Sequence, residues 1–408
     1  MSARSDSPST RHLVRAAICA AAIAAVLGVL MGARSASAQE PPGPQPVSQE
    51  KLQAAIDQLG NLDYDTRTSA SRTVRRTPGA QAVPALLTAV ASHKDGYVRY
   101  RALVLLTGFD DPRTHDAIRE SLASPNDRLR TVAYSYFEHN PDPAMIAPFL
   151  AALDKEVAEF VRPALIRALA ALGNDPRVQS ALVRESGRGE DFFRSAVIEA
   201  LGDYKARYAV DALLAIAKLD GPLADDAVLA LGKIGDRRVR DTLIDLQHNG
   251  PPALQPFVVA ALCLIGDACA PEEKYLVDAL KYSGANAGNQ ELLRGAAAGL
   301  GALGVSGRAP SLEALFDAGI PSDDPMRAPI ALAVATVALR NTPLMLTHLG
   351  TRQARAAAID LMAEGFDMLE EDLDKERFFV LTRHTYWEAP DGSPTRALMQ
   401  TLIGKLDF

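Results

Sequence analysis

Basic charge is in short supply in this chain: 43 Lys and Arg stand against 50 Asp and Glu in 408 residues, a formal charge of −7. Nucleic-acid affinity rests on neutralising phosphates with Lys and Arg, so the balance argues against that partner, and equally against an anionic membrane surface. Aromatics are scarce too, at 6% with one Trp, Trp387. The 48% apolar share leans instead on Ala and Leu, as in helical proteins. Catalytic signatures are missing. There is no Gly-x-Ser-x-Gly, and "GVSG" at Gly304 to Gly307 lacks the spacing. Gly232-Lys233 has no glycine five residues before it and no Ser or Thr after it, so it is no phosphate loop. No two histidines have the helical spacing of metal ligands. The sequence therefore predicts no catalytic, cofactor-binding or metal-binding residue, and no cofactor.

What is present begins with a processing signal. Arg4, Arg11 and Arg15 precede an uncharged apolar run, Ala16 to Ala33, followed by "ARSASAQE" with small residues Ala36 and Ala38 where a signal peptidase reads. Cleavage is expected after Ala38, giving a periplasmic or secreted protein with no membrane attachment. An uncleaved anchor is the competing reading, since the run is about the minimum length of a span. Cys19 lies inside the run and not at its end, which argues against a lipoprotein. Without the four arginines and one aspartate of residues 1–38 the charge becomes −10. Only Cys263 and Cys269, in "CLIGDAC", then remain. In an oxidising compartment they are a candidate disulfide; the alternative is two small buried residues at alanine-like positions.

The rest of the chain repeats. Taking Arg99 in "GYVRYRALVLL" as reference, equivalent positions fall at Arg67, Arg99, Arg130, Arg162, Arg194, Ala224, Gln255, Leu293, Arg327 and Arg355, mostly 30 to 34 residues apart. Three residues on, every copy is apolar: Ala70, Ala102, Ala133, Leu165, Val197, Ala227, Val258, Ala296, Ile330, Ala358. Seven residues on, every copy is apolar again, from Val74 and Leu106 to Val334 and Met362. Offsets of three and seven share one helix face. Each unit thus holds a short helix with one packing stripe, too small to be stable alone and completed by stacked neighbours. A first helix precedes each reference position. Its start is marked by Asp111-Pro112, Asp142-Pro143 and Asp175-Pro176, an N-cap acceptor followed by Pro where a missing N–H costs nothing. Asp236 and Asp267 hold the same place without Pro.

These residues resemble HEAT repeats, specifically the short bacterial type first noted in phycobilisome lyases. "LADDAVLALGKIGD" (Leu223 to Asp236), "EVAEFVRPALIRALAALGND" (Glu156 to Asp175) and "FFRSAVIEALGD" carry the pattern of Val-Arg, Ala, Ala-Leu-Gly and Gly-Asp. The resemblance covers residues 60–366 and implies an all-α solenoid, an armadillo-type superhelix of about ten helix pairs. Such pairs at helix spacings of about 8–10 Å would make a curved rod on the order of 90 Å long. It also implies a role for Arg67, Arg99, Arg130, Arg162 and Arg194. In the family this Arg and the inter-helix Asp, here Asp111, Asp142, Asp236 and Asp267, form a ladder of ion pairs between repeats. A basic strip for an acidic partner is the alternative. The ladder lapses at Ala224, Gln255 and Leu293. One enzyme family of this type, the deoxyhypusine hydroxylases, holds iron through His-Glu pairs; this chain has no His-Glu dipeptide.

Around the repeats, residues 39–59 are expected to be a Pro-rich lead and first helix, and 367–408 a capping segment in which Trp387, Tyr386 and His384 pack the end. "KYSGANAGNQE" (Lys281 to Glu291) is expected to be a loop that gives the eighth unit its extra length. The acidic pairs Asp110-Asp111, Asp323-Asp324 and Glu370-Glu371 read as solvated helix ends. The functional expectation is an exported scaffold that binds a protein or peptide on its grooved face without catalysis. An enzyme-associated subunit of the cofactor-lyase type and a self-associating envelope component are the alternatives.

Overall fold

The computed structural model describes residues 40–219, 221–266, 269–286, 288–406 and 408; Ala38, Asp267 and the signal segment lie outside them. Residues 1–40 and 41–408 form separate units, and the second contains everything below. Its described residues form helices and turns without a strand. Ten antiparallel pairs follow one another: α1 Gln49–Gln58 with α2 Tyr64–Arg76, α3 Gly79–Ser92 with α4 Gly96–Leu106, α5 Arg113–Ser121 with α6 Asp127–His139, α7 Ile146–Leu153 with α8 Arg162–Ala171, and α9 Pro176–Ser186 with α10 Asp191–Asp203. Then come α11 Val210–Ile216 with α12 Pro222–Ile234, α13 Arg240–Asn249 with α14 Gln255–Leu264, α15 Ala270–Ala285 with α16 Gln290–Val305, α17 Ala309–Gly319 with α18 Arg327–Arg340, and α19 Thr342–Thr351 with α20 Arg355–Met368. An eleventh pair, α21 Asp372–Glu388 and α22 Pro394–Leu406, ends the chain. No single described helix is long and apolar enough to cross a membrane; α18 and α19 pass together by composition but are bent by 114°.

Local chemistry explains the pairs. Asp63, Asp95 and Asn126 accept the first free amides of α2, α4 and α6, and Asp142, Asp175 and Asp236 do the same for turns leading into α7, α9 and α13. Gly235, at φ 75°, takes the left-handed conformation that closes α12, which a side chain adopts only at a cost. All twenty residues at the +3 and +7 positions are buried. Even-numbered helices stack directly on one another in one continuous row. Small residues set the spacing. A Cβ added to Gly232 of α12 would stand 2.5 Å from the Cα of Ala261 in α14, and one added to Gly202 of α10 would stand 2.7 Å from the Cα of Ala230.

The row curls back on itself. Helix α21 packs on α18 and also on α4, α6 and the turn Thr107–Phe109 that follows α4. Arg75 of α2 donates from Nε to both carboxylate oxygens of Glu376 at 2.9 and 3.0 Å, across 301 residues. Trp387 donates from Nε1 to the carbonyl of Pro41 at 3.0 Å. The expected curved rod is therefore corrected to a row whose first and last repeats meet through α21. The final pair does not merely cap the array; it turns across the inner face. Tyr386 is buried there under the Arg396 guanidinium, and the His384 ring lies 5.5 Å from that of Trp387. The supposed long loop at 281–291 is corrected as well. Residues 281–285 finish α15, and the extra length goes into two 16-residue helices, α15 and α16.

Gly232→Val is expected to destabilise the fold by about 1–3 kcal/mol, the usual range for overpacking a tight contact. Urea unfolding followed by circular dichroism checks it; an unchanged midpoint would mean the inner row is not closely stacked.

Candidate functional site

The carboxyl-terminal ends of the inner helices converge. Residues from α6, α10, α12, α14, α16 and α18 meet Arg167 of α8 and the face of α21 around a cleft of about 800 Å³. Helix ends of this kind carry partial negative charge, which cations in the last turn offset. The cleft supplies both signs. Lys233 donates to Asp203 at 2.7 Å, and Arg167 donates to Asp203 at 3.0 Å and to Glu138 at 2.8 Å. The hydroxyl of Tyr204 donates to the same Glu138 oxygen at 3.0 Å. Arg340, at the end of α18, lies 3.8 Å from Glu138, 2.9 Å from Glu371 and 3.4 Å from Asp374. His139 Nε2 stands 2.8 Å from Asp374. One chain of alternating charges thus runs from α12 through α10, α8, α6 and α18 to α21.

Burial and pairing pull against each other here. Burial opposes the charge on Asp203, but Lys233 and Arg167 hold its pKa down at about 2. Burial likewise opposes Asp374, and the hydrogen bond from His139 with the Arg340 charge brings it to about 2. Arg167 is desolvated, yet Glu138 and Asp203 raise its pKa. Tyr204 is raised by burial and by the Glu138 carboxylate. A second acidic group lies further along the row without such support. Asp225 of α12 is raised to about 6 by burial, by Asp226 and by Glu291, and Glu199 of α10 is raised chiefly by burial. Among the described residues no three His, Cys, Asp or Glu side chains are grouped to hold a metal ion.

The sequence-selected residues fall elsewhere, and the expected ladder is corrected. Among the described residues none of the repeat arginines pairs with Asp111, Asp142 or Asp236, and Asp267 lies outside them. Most of the arginines bind carbonyls in the last turn of the preceding helix or just past its end, which have no partner within the helix, and Arg130 and Arg327 also pair with Glu156 and Glu364 of the following repeat. Arg67 donates to Asn61 O at 2.7 Å, Arg99 to Val90 O at 2.8 Å, Arg130 to Ser124 O at 2.8 Å and Arg194 to Ser186 O at 3.2 Å. Arg355 reaches Leu349 O at 2.9 Å. Arg162 differs: its guanidinium lies 3.5 Å over the Phe193 ring of the next repeat. Gln255, taken as a lapse, does the same work, donating to Leu246 O at 3.0 Å. Asp111 and Asp236 cap their own helices and bind Arg113 and Arg238 two residues on. Ala224 and Leu293 are buried apolar residues at this position. Cys263, ending α14, is joined by a disulfide to Cys269, just before α15, with Cα atoms 4.6 Å apart.

The cleft residues were missed because they share no motif. The one available signal was the run of five carboxylates in "EEDLDKE" (Glu370 to Glu376) just beyond the last repeat; four of these, Glu371, Asp372, Asp374 and Glu376, pair with arginines of other repeats.

Residues 223–249 match the sequence family described as PBS lyase HEAT-like repeat. That segment is nearly all of α12 with the whole of α13, and helices with the same two buried positions recur along the chain. The protein is thus a HEAT-repeat protein with an all-α solenoid fold. Among solved structures it is similar to yeast importin-β (Kap95p), at 12% identity over 85% of this chain and 47% of that chain, TM-score 0.29. It is also similar to Kap121p, at 14% identity over 87% and 45%, TM-score 0.31, and to Kap121p bound to RanGTP, at 14% over 87% and 45%, TM-score 0.29. The chain spans about half the length of these structures. Among curated proteins no sequence relative matches.

The two kinds of carboxylate have opposite pH signatures. Asp225 is raised in the fold, so its charged form weakens the fold above pH 6, and that penalty fades as pH falls toward 4. Asp225→Asn is therefore expected to raise the melting temperature at pH 7.5 and to leave it unchanged at pH 3. Asp374 is depressed, so its contribution is full above pH 4 and lost as pH falls toward 2. Asp374→Asn is expected to lower the melting temperature at pH 7.5. Thermal melts of the two variants across pH check both signs; a gain from Asp374→Asn would contradict the assigned pairing.

Proposed function

We propose that this HEAT-repeat protein is an exported scaffold that binds a protein or peptide partner at its inner cleft and catalyses no reaction of its own. One observation carries this reading. The inner face holds a cleft lined by seven repeats and α21, whose charged groups are mostly engaged with one another and tie five of those repeats to α21 in a fixed arrangement. Such a surface offers area, shape and fixed charge. It offers no nucleophile beside a base and no activated acid aimed at an empty centre. Helical repeats suit extended binding for this reason. Export is supported by the amino-terminal sequence and by the Cys263–Cys269 disulfide, since disulfides persist in oxidising compartments.

The cleft also presents groups that its internal pairs leave exposed. Leu381 of α21 is 44% exposed, and Arg377, one turn before it, is exposed on the same wall. These two can be changed without cutting the chain of ion pairs. Affinity capture from an envelope fraction with residues 39–408 is expected to recover a specific partner. Capture with the double variant Arg377→Glu, Leu381→Asp is expected to lose it. Equal recovery by both proteins would place binding outside the cleft. Stoichiometric metal, or visible absorbance from a bound chromophore, in the purified protein would favour the enzyme-associated alternative instead.

A further inference from the structure

The closing contact of the ring has less apolar packing than the contacts between successive repeats. Repeat stacks on repeat through apolar side chains, and these form two clusters that adjoin in the seventh repeat, around Val258 to Ala261. Across the closing seam, Leu373 is the one described α21 residue that belongs to the amino-terminal cluster. The buried aromatics of α21 face the other way: Phe378 lies 5.3 Å from Phe366 of α20, while Phe379, at the edge of the seam, stacks on Phe408. What α21 presents to the first three repeats is a set of carboxylates. Glu376 binds Arg75, Asp372 lies 3.6 Å from Arg101, and Asp374 lies 2.8 Å from His139. Val380 fits against Gly108, and Phe379 lies under the Arg75 guanidinium.

The receiving surface is built for negative charge. Arg75 and Arg101 are desolvated close to each other, and burial together with the Arg75 charge lowers the Arg101 pKa. Two adjacent arginines repel and are expensive to bury without carboxylates opposite them, so whatever covers this surface has to bring negative charge. A seam of this sort adds little net stability over an apolar one, but it is selective for the sign and spacing of what docks.

We propose that α21 with α22 is an ionic latch anchored on the last repeats, and that the basic surface it covers on α2, α4 and α6 is a docking site for an acidic helix of a partner. The inference deepens the scaffold reading and rests on it: α21 shows in cis the ligand that this surface takes in trans. The partner helix needs carboxylates at the relative positions of Asp372, Asp374 and Glu376, with a small apolar residue where Val380 meets Gly108. Its binding opens the ring, since both helices cannot hold Arg75.

The test uses residues 39–408 and a synthetic peptide of residues 369–388, read by fluorescence anisotropy. In the chain, Asp372→Asn with Glu376→Gln weakens the latch while leaving Phe378 and α22 to hold it on the last repeats. This variant is expected to bind the peptide at least ten-fold more tightly than the unmodified chain. A peptide carrying the same two substitutions is expected to bind neither. Adding Arg75→Gln, or separately Arg101→Gln, to the latch variant is expected to abolish binding, with circular dichroism confirming that each protein remains helical. Equal affinity for the two chains, or binding indifferent to both arginine substitutions, overturns the proposal. Peptide binding that fails while partner capture still depends on Arg377 and Leu381 removes the docking site and leaves the scaffold reading. Peptide binding that succeeds without any captured partner removes the scaffold reading and leaves the latch.

Discussion

Everything in this molecule depends on how closely its inner helices approach. Gly202, Gly232, Ala230 and Ala261 let consecutive even-numbered helices touch almost backbone to backbone. The outer helices bury large side chains, such as Leu86, Ile118, Phe149 and Leu213. An inner row with small contacts and an outer row with large ones makes each pair a wedge. Ten wedges turn the row until its ends meet, and that meeting creates both the cleft and the seam.

The charge network is a consequence of that curvature. Helix carboxyl termini that would be scattered along a straight array are brought to one centre, where their partial negative charges add. Lys233, Arg167, Arg340 and His139 answer them, and Asp203, Glu138 and Asp374 in turn pair with those cations. Such a buried polar network fixes one arrangement more than it adds stability. The cleft therefore has a defined shape and charge order before any partner arrives.

The repeat and its packing stripe were legible because they rest on local spacing. Val74 and Met362 occupy equivalent positions, and periodicity alone identifies both. The arginines were legible as a pattern but not in their role. Their partners are main-chain carbonyls such as Val90 O and Ser186 O, which leave no trace in a side-chain sequence. Gln255 shows the physical requirement more plainly than the arginines do, since any long side chain with a terminal N–H meets it. The seam was not legible at all. Arg75 and Glu376 are 301 residues apart, and no repeat pattern relates the second of them to the first. Of its acidic run only the pair Glu370-Glu371 stood out, as a solvated helix end, and Asp372, Asp374 and Glu376 carried no signal of their own.

Ring closure is the claim on which the cleft and the latch both stand. A Cβ at Gly108 would lie 2.7 Å from a methyl carbon of Val380, a separation suited to a crosslink between the first and last repeats. The double variant Gly108→Cys, Val380→Cys should form an intramolecular disulfide under mild oxidation. It would appear as a faster-migrating monomer on a non-reducing gel, with no free thiol at either new position. Two free thiols, or crosslinks only between separate chains, would contradict a closed ring.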